Sequence, residues 1–181
     1  MVFHLDPPDI ILQMFKIKTQ INLMLKKKSN IENTSCINVL TAEKYPLSAK
    51  YLKILLTRNM EIKYLGNAFT LDEIKSYLIN WNVDVIVLDI EIIIDKEEEI
   101  MQFFASTYPQ LKILIYSDFD FENYKQLKQF VRYGASGFIS KDSDYTKVIE
   151  AIKIAFLGET SFETQLGNTF KQKILESYFN L

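Results

Sequence analysis

Residues 82–90, with the sequence NVDVIVLDI, restrict the fold of this chain more than any other stretch. They contain an unbroken apolar run at residues 85–88, which is rich in β-branched side chains and too short for a typical helix. A strand covered by helices on both faces of a parallel sheet has this pattern, because neither face needs alternating polar residues. The run ends at Asp89. Ligands in open α/β sheets bind beyond the carboxyl ends of the strands, so Asp89 is a candidate site residue; the alternative is an aspartate that only caps or solvates the strand end.

The composition excludes several classes of protein. The chain has 181 residues, 48% hydrophobic and 24% charged, which is typical of one soluble globular domain with extensions. A formal net charge of −2 gives no electrostatic reason to expect direct binding of nucleic acid. The single cysteine, Cys36, leaves no internal disulfide and indicates a cytoplasmic protein. The single histidine, His4, argues against a His-based zinc site or a Ser-His-Asp triad.

Residues 1–36 are predicted to form an N-terminal extension, a helix followed by a polar linker. Pro7-Pro8 can begin a helix, and an apolar side follows it. Lysines interrupt the apolar residues, so the segment is neither a membrane span nor a signal peptide. Three interpretations stay open for it: docking on the chain's own domain, untranslated sequence upstream of a start at Met24, and, least favoured, binding to an anionic membrane surface.

Residues 37–158 are predicted to form one domain, because strand and helix signals alternate along them. Strands are predicted at residues 37–41, 62–65, 112–116 and 136–140, and a central strand within residues 82–90 is predicted to end at Asp89. Helices are predicted at 46–58, from 70 to 81, from 97 to 108, at 121–133 and from 143 or 144 to 156. The first helix has Leu47, Tyr51, Ile54 and Leu55 at helical spacing. Five strands, each followed by a helix, predict a doubly wound parallel sheet.

Polar side chains follow four of these strands. Glu43-Lys44 follows the first strand, Asp89 ends the third, Ser117 follows the fourth and Lys141 follows the fifth. The carboxyl ends of parallel strands meet at one edge of the sheet, so these side chains are expected to share a pocket.

Residues 134–142, GASGFISKD, closely resemble the stretch before the last helix in receiver domains of two-component response regulators, with the NarL/LuxR-type branch as the nearest likeness. Residues 42–47, AEKYPL, align with the Val-Asp-Asp-His-Pro-Leu opening of that branch. VDVIVLDI resembles the strand that carries the phospho-accepting aspartate, and LIYS the strand that ends in the switch Ser or Thr. The resemblance covers residues 37–160. It implies the flavodoxin-like receiver fold, a sheet with strand order 2-1-3-4-5.

The resemblance also implies a chemistry for the pocket. Asp89 would be the phospho-acceptor, Lys141 the phosphoryl contact, Ser117 the switch hydroxyl and Phe138 the switch aromatic. Glu43 and Asp89 would hold Mg²⁺. A histidine kinase or a phosphotransfer protein would be the phosphoryl donor, and the protein would be a signalling module of a bacterial two-component system. It would not be an enzyme: at most it accepts a phosphoryl group on Asp89.

The sequence departs from the receiver pattern in two places. The second acid of the family's acidic pair is Lys44, whose ammonium would repel Mg²⁺ or form an ion pair with Asp89 or Glu43. The Met-Pro-Gly turn after the nucleophile is replaced by residues 91–95, EIIID. We therefore expect Mg²⁺ binding to be weak or absent and phosphorylation of Asp89 to be weakened, as in a pseudo-receiver. The alternative is that Asp89, Ser117 and Lys141 are inherited scaffold without activity, and that Phe138 is an ordinary core residue.

Residues 159–181 are predicted to be a C-terminal helical tail with Phe170, Ile174, Leu175 and Tyr178 on an apolar side. NarL/LuxR-type regulators continue at this point into a helix-turn-helix domain, for which these residues give no room and no basic patch. The first hypothesis is a receiver-like module that acts by protein contact, with the tail available to dock on the helices of the sheet or to pair with a second subunit. The second is a truncated or partner-dependent LuxR-type DNA-binding transcription regulator. An enzyme on the same fold ranks third, because no cofactor fingerprint or acid–base pair is present.

Overall fold

The structure is a computed structural model, and it describes residues 36–118 and 129–162. The predicted N-terminal helix, the first part of the helix predicted at residues 121–133, and the predicted tail beyond residue 162 lie outside the described residues. These three predictions stay as predictions.

Strands and helices alternate in the described residues. The strands are β1 (Ile37–Ala42), β2 (Ile62–Ala68), β3 (Val85–Asp89), β4 (Lys112–Ser117), β5 (Gly137–Ser140) and β6 (Ser161–Phe162). The helices are α1 (Pro46–Thr57), α2 (Leu71–Asn80), α3 (Glu97–Thr107) and α4 (Tyr145–Phe156), with a 3₁₀ turn at Ile90–Ile92 after β3. Residues 129–132 are also helical, at the end of the helix predicted before Gly134. All five predicted strands are present.

The sheet is parallel throughout, with strand order β2-β1-β3-β4-β5-β6. The predicted doubly wound α/β fold with order 2-1-3-4-5 is therefore confirmed. The expectation of five strands needs one correction, because the two-residue strand β6 adds to the free edge of β5 within the region predicted as tail. Two residues are too few to produce a periodic pattern, and their pairing depends on the backbone of β5.

Each face of the sheet buries its own hydrophobic core, because successive residues of a strand point to opposite faces. In β3, Ile86 and Leu88 lie in the core shared with α2 and α3, whereas Val85 and Val87 lie in the core shared with α1 and α4. All four are fully buried. Two-sided burial explains why this strand has no polar alternation in its sequence.

The apolar stripe that indicated helix α1 is not the face that packs on the sheet. Leu47, Tyr51 and Ile54 are exposed, and of the four residues noted from the spacing only Leu55 is buried. The packing face instead consists of Ala49, Leu52, Leu55 and Leu56. Helix α1 has apolar residues on two sides, so their spacing shows a helix but does not show which side faces the core.

A pair of substitutions tests which side of α1 packs on the sheet. Leu52 is 0% exposed and Ile54 is 41% exposed. We expect Leu52→Ala to lower the free energy of unfolding by about 2–5 kcal/mol, because it leaves a cavity in the core. The matched change Ile54→Ala is expected to alter it by no more than about 0.5 kcal/mol. Urea denaturation measures both values, and equal losses for the two variants would contradict this placement of the helix.

Strand β2 is longer than predicted, ending at Ala68 and not at residue 65. The sequence Gly66-Asn67 is typical of a turn, but here Gly66 sits at a register shift of the β1–β2 pair with a φ of +153°, which a glycine adopts without strain. The extension places the Asn67 side chain beside the end of β1. Its amide donates to the Glu43 carbonyl oxygen at 3.0 Å, and its oxygen accepts from the Glu43 N–H at 3.1 Å. Asn67 thereby fixes the backbone of a predicted site residue.

Within the described parts of the chain, no helix is long and apolar enough to cross a lipid bilayer.

Candidate functional site

Three ionisable side chains from three strand ends meet at the carboxyl edge of the sheet, and we call Glu43, Asp89 and Lys141 the rim cluster. Asp89 is the last residue of β3, and Glu43 and Lys141 directly follow β1 and β5. The three strands lie close together, since β1 and β4 flank β3 and β5 adjoins β4. The predicted convergence of these side chains is thus present in the structure.

Asp89 and Lys141 form a buried ion pair. The Lys141 Nζ lies 3.0 Å from Asp89 Oδ2, and the two side chains are 13% and 1% exposed, respectively. The other oxygen, Oδ1, accepts a hydrogen bond from the backbone N–H of Glu91 at 3.1 Å. This bond caps the start of the 3₁₀ turn after β3. A backbone N–H of Lys44 also approaches Oδ2 at 3.4 Å. Asp89 therefore does more than cap its strand, because it contributes to a buried charge cluster.

Glu43 is the second carboxylate of the cluster and is fully buried. Its Oε1 accepts a hydrogen bond from the Tyr45 N–H at 2.9 Å. Its Oε2 lies 3.4 Å from the Lys141 Nζ, within ion-pair distance, but makes no hydrogen bond. One ammonium group is thus shared between two buried carboxylates, with Asp89 as its closer partner.

The surroundings of the cluster raise the pKa of two of its groups, Glu43 and Lys141. Burial raises the pKa of the Glu43 carboxyl, the Tyr45 N–H bond partly opposes this, and the negative charge of Asp89 raises the pKa further. Burial alone would lower the pKa of Lys141, but the hydrogen bond and charge of Asp89, with the charge of Glu43, raise it above its ordinary value. Lys141 is accordingly a firmly held cation.

Lys44 lies elsewhere than expected from the sequence. Its ammonium was expected to pair with Asp89 or Glu43, but it is exposed and pairs with Glu91, with 3.3 Å between Nζ and Oε2. Only its backbone N–H faces Asp89. The position that faces both carboxylates is taken by Lys141, which comes from another strand. The cation of the pocket is therefore Lys141 and not Lys44.

Three residues that were not predicted for the site, Tyr45, Tyr116 and Glu91, lie next to the rim cluster. The Tyr45 hydroxyl donates to Glu91 Oε2 at 2.8 Å, and the Lys141 Nζ lies 5.2 Å from the centre of the Tyr45 ring. The ring of Tyr116 lies on the same ammonium at 5.7 Å. A signal for Tyr45 and Glu91 was present, since each lies within two residues of a predicted site residue.

The remaining predicted site residues, Ser117 and Phe138, lie on the strands next to Asp89. Ser117 is buried at the end of β4, and its carbonyl oxygen accepts from the Lys141 N–H at 3.1 Å. Phe138 is paired with Ile115 across β4 and β5 and is buried in the core shared with α2 and α3. This position is the one expected of an ordinary core residue. The switch roles of both residues stay predictions.

The rim cluster as it stands does not fit the Mg²⁺ ion that the receiver fold implies. Magnesium requires near-octahedral oxygen ligands and is usually held by carboxylates and water. Among the described residues no group of three or more Asp, Glu, His or Cys side chains is placed to hold a metal ion. The two carboxylates that the sequence analysis assigned to Mg²⁺, Glu43 and Asp89, both face the Lys141 ammonium.

The chain resembles curated bacterial regulators over most of its length. It is 27% identical over 146 residues to the uncharacterized transcriptional regulatory protein YxjL of Bacillus subtilis, covering 78% of this chain and 66% of that protein. It is 25% identical over 126 residues to the transcriptional regulatory protein DegU of Brevibacillus brevis, covering 70% and 52%. The chain therefore spans between half and two thirds of the length of these relatives. No family model matches it.

Solved structures of receiver domains have the same fold. The isolated receiver domain of RcsB from Salmonella enterica serovar Typhimurium superposes with a TM-score of 0.63 at 16% identity, covering 71% of this chain and 94% of that domain. A LuxR-family two-component response regulator from Aurantimonas gives a TM-score of 0.66 at 18% identity, covering 80% and 99%. The predicted resemblance to response-regulator receiver domains is therefore confirmed, and the fold is the receiver fold.

Proposed function

We propose that this chain is a receiver-like module of a bacterial two-component pathway, which acts by protein–protein contact and accepts a phosphoryl group on Asp89 only slowly. The observation that supports this most directly is the buried Asp89–Lys141 pair at the carboxyl edge of a receiver fold. A receiver has its nucleophile and its phosphoryl-binding lysine at these two positions. Slow reaction follows from the burial of Asp89 and from the bonds that already engage both of its oxygens.

The reaction needs a phosphoryl donor and an open pocket. A carboxylate oxygen of Asp89 would attack the phosphorus of a phosphohistidine or a small acyl phosphate, and the bond from phosphorus to the donor would break. Lys141 would leave Glu43 and follow the new phosphoryl oxygens. The ring of Tyr45 would have to move aside, because it lies over the Lys141 ammonium while its hydroxyl is bonded to Glu91.

The module would act together with protein partners in the cytoplasm. A histidine kinase or a phosphotransfer protein would be the donor, and a second copy of the chain or an unidentified output protein would read the state of the module. Dimers are described for RcsB, one of the structural neighbours. We place the module in the cytoplasm, as the single cysteine indicates.

Intact-mass measurement after incubation with acetyl phosphate tests the proposal. We expect the wild-type chain to gain the mass of one phosphoryl group slowly and incompletely, with release of acetate. Asp89→Asn is expected to gain none, because the amide cannot form the acyl phosphate.

Asp142→Asn is the matched control, since Asp142 is an exposed aspartate one residue beyond Lys141. It should be labelled as well as the wild type. An adduct that persists in Asp89→Asn would contradict the assignment of the acceptor, and a wild-type chain that gains no mass would contradict a phosphoryl-accepting role.

A second candidate is a LuxR-type DNA-binding transcription regulator, in which the DNA-binding part belongs to a partner or to a longer protein. The names of the relatives, which are transcriptional regulatory proteins, favour it. A gel shift with promoter DNA tests whether the chain itself binds DNA, and the 181-residue chain alone is expected to leave the DNA unshifted.

A further inference from the structure

We propose that in this chain the Lys141 ammonium is the resident cation of the rim cluster, and that it excludes Mg²⁺ and other divalent ions from the pocket. The inference concerns the same pocket as the proposed function. It does not depend on a phosphoryl donor or on a partner, so it can fail while that function holds.

Every carboxylate oxygen of the cluster already faces an N–H group. In Asp89, Oδ1 accepts from the Glu91 N–H at 3.1 Å and Oδ2 from the Lys141 ammonium at 3.0 Å. In Glu43, Oε1 accepts from the Tyr45 N–H at 2.9 Å, and Oε2 faces Lys141 at 3.4 Å. A divalent ion would have to displace the ammonium in order to reach two carboxylates at once.

The surroundings of the ammonium also favour a monovalent organic cation. Its Nζ lies 5.2 Å from the ring centre of Tyr45 and 5.7 Å from that of Tyr116, distances at which a ring face attracts an ammonium group. The faces of these rings carry no oxygen atom that could coordinate a hydrated metal ion. Lys141 therefore has two carboxylates and two aromatic rings as neighbours.

A further acid next to the cluster, Glu91, has a carboxylate that is engaged by other partners. Glu91 accepts from the Tyr45 hydroxyl at 2.8 Å and pairs with Lys44 at 3.3 Å, both through Oε2. It is held at the outer side of the pocket by two partners of its own. It cannot complete a three-carboxylate metal site without losing both contacts.

Removal of the Lys141 ammonium would take away the ion-pair partner of Glu43 Oε2. This oxygen is buried and makes no hydrogen bond, so without Lys141 it would lack any partner. The Asp89 Oδ2 atom would lose its closest donor at the same time. Two carboxylate oxygens without an ammonium between them would then face one space, which is a favourable arrangement for a divalent cation.

The test compares divalent-ion binding by the wild-type chain and by Lys141→Met. Mn²⁺ serves as the probe, because the electron paramagnetic resonance signal of the free ion reports the unbound fraction directly. We expect no saturable Mn²⁺ site in the wild type up to millimolar concentration, and at least about tenfold tighter binding by Lys141→Met, since each tenfold step requires only about 1.4 kcal/mol. The thermal midpoint of Lys141→Met should rise in MgCl₂ relative to KCl of equal ionic strength, and that of the wild type should not.

Lys141→Gln replaces the methionine variant if that variant does not fold, because its amide still donates to Asp89. Glu43→Gln in the Lys141→Met or Lys141→Gln background is the control and should remove the gained site. A saturable wild-type Mn²⁺ site that Glu43→Gln abolishes would overturn the proposal. So would Lys141 variants that bind Mn²⁺ no better than the wild type.

Discussion

Replacing Lys141 with methionine is expected to lower the free energy of unfolding by about 3–5 kcal/mol, because it leaves buried carboxylates without their counter-ion. The carboxylates of Asp89 and Glu43 are nearly inaccessible to water, and Lys141 is the ammonium group that faces both of them. Urea denaturation followed by circular dichroism measures the loss. A Lys141→Met chain within about 1 kcal/mol of the wild type would contradict the placement of this ion pair in the interior.

Lys44→Met is the matched control for this experiment. Lys44 is the lysine that the sequence suggested as the pocket cation, but it is exposed and pairs with the partly exposed Glu91. An exposed pair contributes only about 0–1 kcal/mol, so the control should lose little stability. Addition of Asp89→Asn and Glu43→Gln to Lys141→Met should recover much of the loss, since it removes the uncompensated charges and not only their partner.

Phe138→Ala is the second change with a large expected effect, a loss of about 3–5 kcal/mol in the free energy of unfolding. Phe138 is 1% exposed and packs in the core shared with α2 and α3, so truncation leaves a cavity between β5 and its neighbours. Denaturant unfolding of the purified variant measures the loss.

Phe69→Ala is the control for the aromatic change, because Phe69 follows β2 and is 44% exposed. It should alter stability by no more than about 0.5 kcal/mol. A small loss in Phe138→Ala, comparable to that of the control, would mean that the ring does not fill the core and would favour a mobile switch residue.

The sequence alone was sufficient for the architecture of the domain. The β-branched run before Asp89 predicted a strand covered on both faces, and the structure buries every residue of β3. The helix predicted to begin at residue 70 is α2, whose start is capped by the Thr70 side chain, which accepts from the Glu73 N–H. Such features depend on local backbone preference and on side-chain periodicity, which are properties of neighbouring residues in the chain.

The sequence was less informative about which side of a helix faces the core and about the edge strands of the sheet. Both sides of α1 carry apolar residues, so periodicity could not decide that Leu52 faces the sheet and Tyr51 faces solvent. Gly66 was typical of a turn but lies inside β2, because its pairing with Leu40 outweighs the local preference. Strand β6 has only two residues and exists through its backbone pairing with β5. Each of these outcomes depends on what the rest of the fold places beside the segment.

The same distinction between sequence and packing applies to the candidate site. The sequence by itself determined that Glu43, Asp89, Ser117 and Lys141 come to one edge of the sheet, because parallel strands place all their carboxyl ends there. Only the tertiary structure decided which lysine neutralises the carboxylates. Lys44 is adjacent to Glu43 in the chain but points outward to Glu91, whereas Lys141 reaches both carboxylates from 98 residues beyond Glu43. Ion pairing depends on distance and direction in space, and for groups on different strands these are set by the packing of the whole sheet and not by separation along the chain.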